Sequence, residues 1–344
     1  MITVTSDWLR GVIARALHAQ QVPLVHAQHV SDALLLASER GIDSHGVTLF
    51  PTWLKELEGG RANPQPSLCW RQSGAVAQLD ADAALGAVAG AEGVRKAAEL
   101  AAELGVGVAA IRNTNHFGAA SAFTLPLAAQ KLIGIAVTNA DRLLAPHGGR
   151  TALFGTNPLS FAVAGVGEDM FCLDMATSQI SYSKLTALLR SGATVGRGFA
   201  IDDSGEPLTS AAQRFGALLP LGGYKGAGLA MMVSILAGAL TDSPFDAALR
   251  HLYDPPFETP RQIGQFLLAI DPTRFVAEER WRAWVSDMLR QVETQSTAEE
   301  RVRYPGARAA ECQRARKVSG IPITQTLHQE LLRIERLYSA ASSC

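Results

Sequence analysis

Four short apolar runs, VGVAAIRN, IGIAVTNA, LSFAVAG and FCLDMAT, begin between residues 106 and 175, separated by glycine and proline turns and by one helical segment near residues 119–131. Runs of this length bounded by such turns read as strands, so the middle of the chain is expected to centre on a sheet. The flanks have a different period. Apolar residues recur at helical spacing in WLRGVIARAL, HAQHVSDALLLASERG and LFPTWLKELEGG, all within residues 5–58, with stops at Gly41 and Gly59-Gly60. AVAQLDADAALG reads as a strand and turn, and AVAGAEGVRKAAELAAELG as a helix ending at Gly105. Farther on we expect a helix near residues 181–190, a hairpin in GRGFAIDDSGEPL and a helix entered through glycines in YKGAGLAMMVSILAGALTD. From about residue 273 helical segments alternate with RVRYPGAR and SGIPIT.

A chain of 344 residues exceeds the size at which one core usually stops growing, so two lobes are expected. Apolar residues make up 47% and charged residues 18%, the balance of a globular protein with a sizeable core. A formal net charge of -1 without a basic cluster excludes a nucleic-acid footprint and gives no attraction to anionic lipid. Cys69, Cys172, Cys312 and Cys344 form no CxxC pair and read as reduced thiols of a cytoplasmic protein. Asp7 and Arg10 interrupt the apolar run that a signal peptide would need. The stretch GLAMMVSILAGAL, residues 228–240, is short for a bilayer span and is expected to be a buried helix of a soluble protein. His26 and His29 could share a helical face, but no HExxH glutamate or third ligand accompanies them. No metal is expected, and both imidazoles should face water.

Two glycine motifs bear on cofactors. GVGVAA, residues 105–110, fits G-x-G-x-x-A formally, but it leaves a helix and opens a strand. A dinucleotide fingerprint does the reverse, offering free amides at a helix start to the pyrophosphate. LPLGGYKGAGLAMM, residues 219–232, leads Gly222, Gly223, Lys225 and Gly226 into a long apolar helix. That arrangement suits an anion such as a nucleotide phosphate, and equally suits close helix packing.

The motifs DSHGV (43–47), NTNHFGAA (113–120), APHGG (145–149), GTNPLSFAV (155–163), LDMATS (173–178) and LPLGGYKGAGL (219–229) resemble, in order and approximate spacing, the malate/L-lactate dehydrogenase type 2 group. That group includes ureidoglycolate and L-sulfolactate dehydrogenases and Δ1-piperideine-2-carboxylate reductase. The tail RVRYPGAR…SGIPI extends the resemblance over nearly the whole chain. It implies a mixed α/β, non-Rossmann L-sulfolactate dehydrogenase-like fold with a central mixed or antiparallel sheet and helical N- and C-terminal parts packed together. The division it suggests is residues 1–72 with 255–344, and a cofactor-binding domain over residues 73–254. It also implies a homodimer, a small-molecule substrate, and NADPH or NADH as cofactor.

Residue by residue, the resemblance makes Ser44 and His45 an active-site pair and places His116 at the nicotinamide pocket, either imidazole being suited to give and take a proton near neutral pH. His45 is the favoured proton donor, with the roles exchangeable. The resemblance further puts His116, Phe117, Gly118, Ala119 and Ala120 along the cofactor, Asp174, Met175 and Ala176 in a cofactor-binding turn, and Leu221, Gly222, Gly223, Lys225 and Gly226 at the diphosphate. Thr156 becomes a substrate contact.

Two positions depart from the pattern. Where the group has a carboxylate-clamping arginine this chain has Leu49, and Ser183 replaces the glycine before Lys184. Loss of a charge-assisted fork removes about 1.5–3 kcal/mol, ten- to a hundredfold in binding. Arg40, Lys55, Arg142 and Arg150 are the candidate replacement clamps. The expected activity is therefore NAD(P)H-dependent reduction of C=O or C=N in a small 2-oxo acid or cyclic imine, or the reverse. A conventional malate/lactate-type dehydrogenase and a non-catalytic, cofactor-binding paralogue are the alternatives.

Overall fold

The computed structural model describes residues 1–339, so Cys344 lies outside the described residues. In chain order the elements are β1 (Ile2–Val4), α1 (Ser6–Ala19), α2 (Leu24–Glu39), α3 (Phe50–Glu58), β2 (Cys69–Ser73), β3 (Val76–Ala84), α4 (Gly86–Leu104), β4 (Val106–Thr114), α5 (Ser121–Ala129), β5 (Ile133–Thr138), β6 (Leu159–Ala164) and β7 (Met170–Met175). They continue as α6 (Tyr182–Arg190), β8 (Ala200–Asp202), β9 (Phe215–Leu218), α7 (Tyr224–Ala237), β10 (Ile263–Ile270), α8 (Glu278–Glu293), α9 (Ala307–Ser319), β11 (Ile321–Ile323) and α10 (Gln325–Ser339).

Seven strands form the central sheet in the order β2-β3-β4-β10-β5-β6-β7. Among the described residues of this sheet only β3 and β4 run parallel. A parallel pair needs a crossover, and α4 supplies it, ending at Gly105 in the left-handed conformation (φ 87°) that glycine adopts at no steric cost. One sheet face is covered by α4 and α5: Gly93 of α4 sits against Ile111 and Leu267, and Leu125 packs with Ala162. The other is covered by α7, through Val233 and Ala237 against Val137, and by α8, through Trp281, Val285 and Leu289 against Val163.

The termini come together. β1 pairs antiparallel with β11, and from α10 Glu335 accepts from Arg15 (2.5 Å) and from the Trp8 indole (3.3 Å) of α1.

Three expectations need correction. The boundary at residue 254 fails because β10 lies in the part assigned to the helical tail, yet it hydrogen-bonds both β4 and β5 at the centre of the sheet; β2 likewise starts before residue 73. The hairpin in GRGFAIDDSGEPL is confined to one bridge, Ile201 to Pro207, while β8 forms its ladder with β9. Helix α7 is not buried all round. Gly226, Ala230, Val233 and Ala237 are buried, the last two against the sheet, whereas Tyr224, Met231 and Ile235, on the opposite stripe at helical spacing, are exposed, Ile235 at 56%. With the turn after it, Tyr224–Thr241 reaches 18 residues, enough by length and composition alone to cross a membrane.

Candidate active site

The turn carrying Ser44 and His45 is wedged between α2 and α9. A Cβ at Gly46 would fall 2.1 Å from Ser38 Oγ, so only glycine fits there, and Ser38 Oγ accepts from the Val47 amide at 2.9 Å. Arg316 of α9 donates to the Ser38 carbonyl and to Asp43. Held in this way, Ser44 Oγ lies 2.8 Å from His45 Nδ1, which leaves Nε2 as the ring's other polar atom.

His116 follows the end of β4, where the chain leaves the sheet through Asn113 at φ 57°. The buried Asn115 amide donates to the carbonyls of Arg61 (3.3 Å), Ala83 (2.8 Å) and Ala84 (3.2 Å). The start of α4 abuts the same backbone: a Cβ at Gly86 would sit 2.2 Å from the Asn115 carbonyl. His116 Nδ1 accepts from the Gly118 amide at 3.1 Å, so the proton of the neutral ring resides on Nε2.

The two imidazoles, 71 positions apart in the chain, lie with ring centroids 5.9 Å apart and planes inclined by 29°. Desolvation depresses the His45 pKa below the usual imidazole value, the nearby Asp174 opposing it. His116 is driven well below that value by desolvation, then by His45 and Arg261. Both rings are thereby biased toward the neutral form near pH 7.

They line a cavity of about 310 Å³. Every residue from His116 to Ala120 lines it, as do Ser44, Leu49, Thr156, Asp174, Met175 and Ala176. Asp174 Oδ2 accepts from the Ser121 amide at 3.0 Å, tying the β7 end to the start of α5. Leu49, 2% exposed, makes its part of the wall hydrocarbon. Among the described residues no lysine or arginine lines the cavity. Arg40 is buried beside α9, where its Nη1 donates to Gln313 at 3.3 Å; Arg150 pairs with Glu206 at the surface; Lys55 and Arg142 point to solvent. None of the four candidate clamps reaches the site.

Leu221, Gly222, Gly223, Lys225 and Gly226 do not line the cavity; they form the entry to α7 immediately beyond it. The Leu221 amide donates to the Thr177 carbonyl (2.9 Å) next to Ala176, and the Gly222 amide to Gln179 (3.3 Å). Gly222 and Gly223 take φ 58° and 67°, and a Cβ at Gly226 would meet the Leu221 backbone at 2.4 Å. The amides of Gly223 and Gly226 are likewise taken, by the carbonyls of Pro220 (3.1 Å) and Leu221 (2.7 Å), and the turn opens the 14-residue helix α7, whose first N–H groups have no partner within the helix.

The sequence motifs missed the far wall. Asn139, Asp141, Tyr182, His251 and Tyr253 line the same cavity. His251 Nε2 lies 3.6 Å from Asp141, which also pairs with the buried Arg261. Tyr182 and Ser183 were detectable through the departure at Ser183; His251 and Tyr253 sit in an irregular loop with no motif to mark them. His26 and His29 face α4 instead of water, His29 Nε2 lying 3.8 Å from Glu92, whose carboxyl is held down at about 2, chiefly by that contact. Among the described residues no group of three or more His, Cys, Asp or Glu side chains is arranged to hold a metal ion.

A family model described as malate/L-lactate dehydrogenase matches residues 4–332. The ureidoglycolate dehydrogenase (NAD(+)) of Escherichia coli O157:H7 is 32% identical over 98% of this chain and 97% of its own. The (2R)-3-sulfolactate dehydrogenase (NADP(+)) of Chromohalobacter salexigens is 34% identical, covering 88% of this chain and 89% of its own. Among solved structures, the sulfolactate dehydrogenase of Methanocaldococcus jannaschii superposes with a TM-score of 0.92 at 31% identity, over 98% of each chain.

Proposed function

Because the chain belongs to the malate/L-lactate dehydrogenase family and is an NAD(P)-dependent oxidoreductase, we propose that it reduces the C=O or C=N bond of a small 2-oxo acid or cyclic imine, or runs the reverse reaction, with its own histidines handling the proton. The observation that carries this reading is the pair of imidazoles 5.9 Å apart over one cavity.

The residues that would hold the cofactor are the glycine turn Gly222, Gly223 and Gly226 at its diphosphate, with Lys225 beside them, and His116 to Ala120 and Asp174 to Ala176 along its nicotinamide end. When bound, the cofactor supplies or receives the hydride. Reduction leaves negative charge on the substrate oxygen or nitrogen, and a neutral Nε2–H on His116 can donate a hydrogen bond to it without a net charge of its own. His45, its Nδ1 engaged with Ser44, presents Nε2 for proton transfer. Thr156 offers a hydroxyl to the substrate's carboxylate or carbonyl. Leu49 excludes the guanidinium anchor of the family pattern, which favours substrates that do not depend on a charged clamp in this chain.

The apolar stripe of α7 supports a homodimer: Tyr224, Met231, Ile235 and Leu240 are all exposed, and a face of that kind is a site of association. NADH and NADPH titrations followed by fluorescence, then oxidation assays against a panel of 2-oxo acids and cyclic imines, test the whole reading. We expect tight binding of one nucleotide and turnover of at least one panel member. Failure to bind either nucleotide would sink it, and binding without turnover would leave a non-catalytic paralogue.

A further inference from the structure

Residues 250–257 carry His251, Leu252 and Tyr253 into the cavity wall without a helix or strand of their own, and Tyr253, Asp254, Pro255 and Pro256 are exposed. A segment of this kind is held only by what reaches it from inside. Arg61, fully buried just after α3, does so. Its Nη2 donates to the carbonyls of Asp254 (2.7 Å) and Pro256 (2.9 Å), its Nη1 to Leu252 (3.3 Å), and its backbone amide to Phe257 (2.9 Å). The guanidinium carbon stands 4.4 Å from the centre of the Phe257 ring. The carbonyl of the same residue accepts from Asn115, the residue before His116. Glu56, also without exposure, is the counter-charge at 3.7 Å.

We propose that Arg61 is a positioning residue for the substrate wall: it fixes the His251–Tyr253 segment relative to His116, and so sets substrate affinity without touching substrate. The proposal rests on the reading of the cavity as the reaction site. A planar fork with several donors spans three carbonyls spread over five residues; the single ammonium of a lysine cannot. Because Arg61 lies outside the cavity lining and away from the glycine turn before α7, its loss should fall on substrate and spare nucleotide binding.

The test compares Arg61→Lys and Arg61→Met with Leu57→Ala, a core substitution in α3 that removes buried hydrocarbon and none of the hydrogen bonds to residues 250–257. KM and kcat are measured with whichever panel substrate the unsubstituted enzyme turns over, NADH binding by fluorescence, and amide exchange over residues 250–257 by mass spectrometry. In both Arg61 variants we expect KM to rise at least about tenfold, the equivalent of one lost charged hydrogen bond, with kcat falling less than about threefold and NADH affinity within about twofold. Exchange protection over residues 250–257 falls, while Leu57→Ala leaves KM unchanged. An unaltered KM in the Arg61 variants, or an equal rise in Leu57→Ala, overturns the proposal. If the Arg61 variants do not fold, Phe257→Leu, which removes the ring beneath the guanidinium, should raise KM about threefold, and an unchanged value overturns it as well. Absence of turnover on every substrate would count against the reaction-site reading, and the exchange data alone would then decide Arg61, retained protection being the overturning result.

Discussion

His45 and His116 are each held through Nδ1, by partners of different kinds. Nδ1 of His116 is taken up by a backbone amide and that of His45 by a hydroxyl, so both rings turn Nε2 away from those partners. Replacing either by alanine should lower kcat by at least ~10²-fold with nucleotide affinity preserved, as removal of a general acid does; steady-state kinetics beside an NADH titration check it, and near-normal turnover in one variant removes that residue from the mechanism. Leu49 makes the opposite kind of test. Leu49→Arg should bring back a carboxylate clamp and lower KM for a dicarboxylate 2-oxo acid about tenfold relative to a neutral ketone. The same KM for both would mean that position 49 does not face substrate. At this scale the motifs were highly informative: Ser44, His45, Leu49, His116 and Asp174 all line one cavity. His251 and Tyr253 were not legible, because a loop contact depends on where the chain is tethered and leaves no periodicity in the residues themselves.

Among the elements, α7 shows how one apolar run can serve two surfaces. Hydropathy along GLAMMVSILAGAL predicts burial without saying what does the burying. Half of the helix is covered by the sheet, and Met231 and Ile235 lie on the half that is not. For the proposed dimer, Ile235→Lys should therefore give a monomer at micromolar concentration with little change in the far-ultraviolet circular dichroism, since the side chain is 56% exposed within the chain. Sedimentation velocity reads the outcome, and an unchanged sedimentation coefficient would place the subunit contact elsewhere. The sequence pattern foresaw the α4 helix and its Gly105 stop because helix and cap are local. It misplaced the β8 partner because a ladder between residues 200 and 218 depends on chain reversal through an irregular segment.

For the molecule as a whole, the buried charges set its response to pH. Desolvation lifts the Glu56 carboxyl to about 7, against the pull of Arg261 and Arg61. The folded chain thus holds that proton more tightly than the unfolded one. This group's contribution declines as pH rises from the ordinary carboxylate value toward about 7, and the penalty is complete above it. Glu56→Gln, neutral at every pH, should melt within about 1 °C of the parent at about pH 4.5 and at a higher temperature at pH 8, by calorimetry. A constant difference between the two pH values would show that Glu56 does not titrate in this window. The change in periodicity could not show that the chain returns to the sheet after residue 254, because β10 joins it from more than a hundred residues beyond β5. That late strand has a consequence during synthesis. Until residue 270 has left the ribosome, β4 and β5 can each offer an unpaired rim to another nascent chain, so this protein should be most in need of a chaperone in the interval before its final quarter is translated.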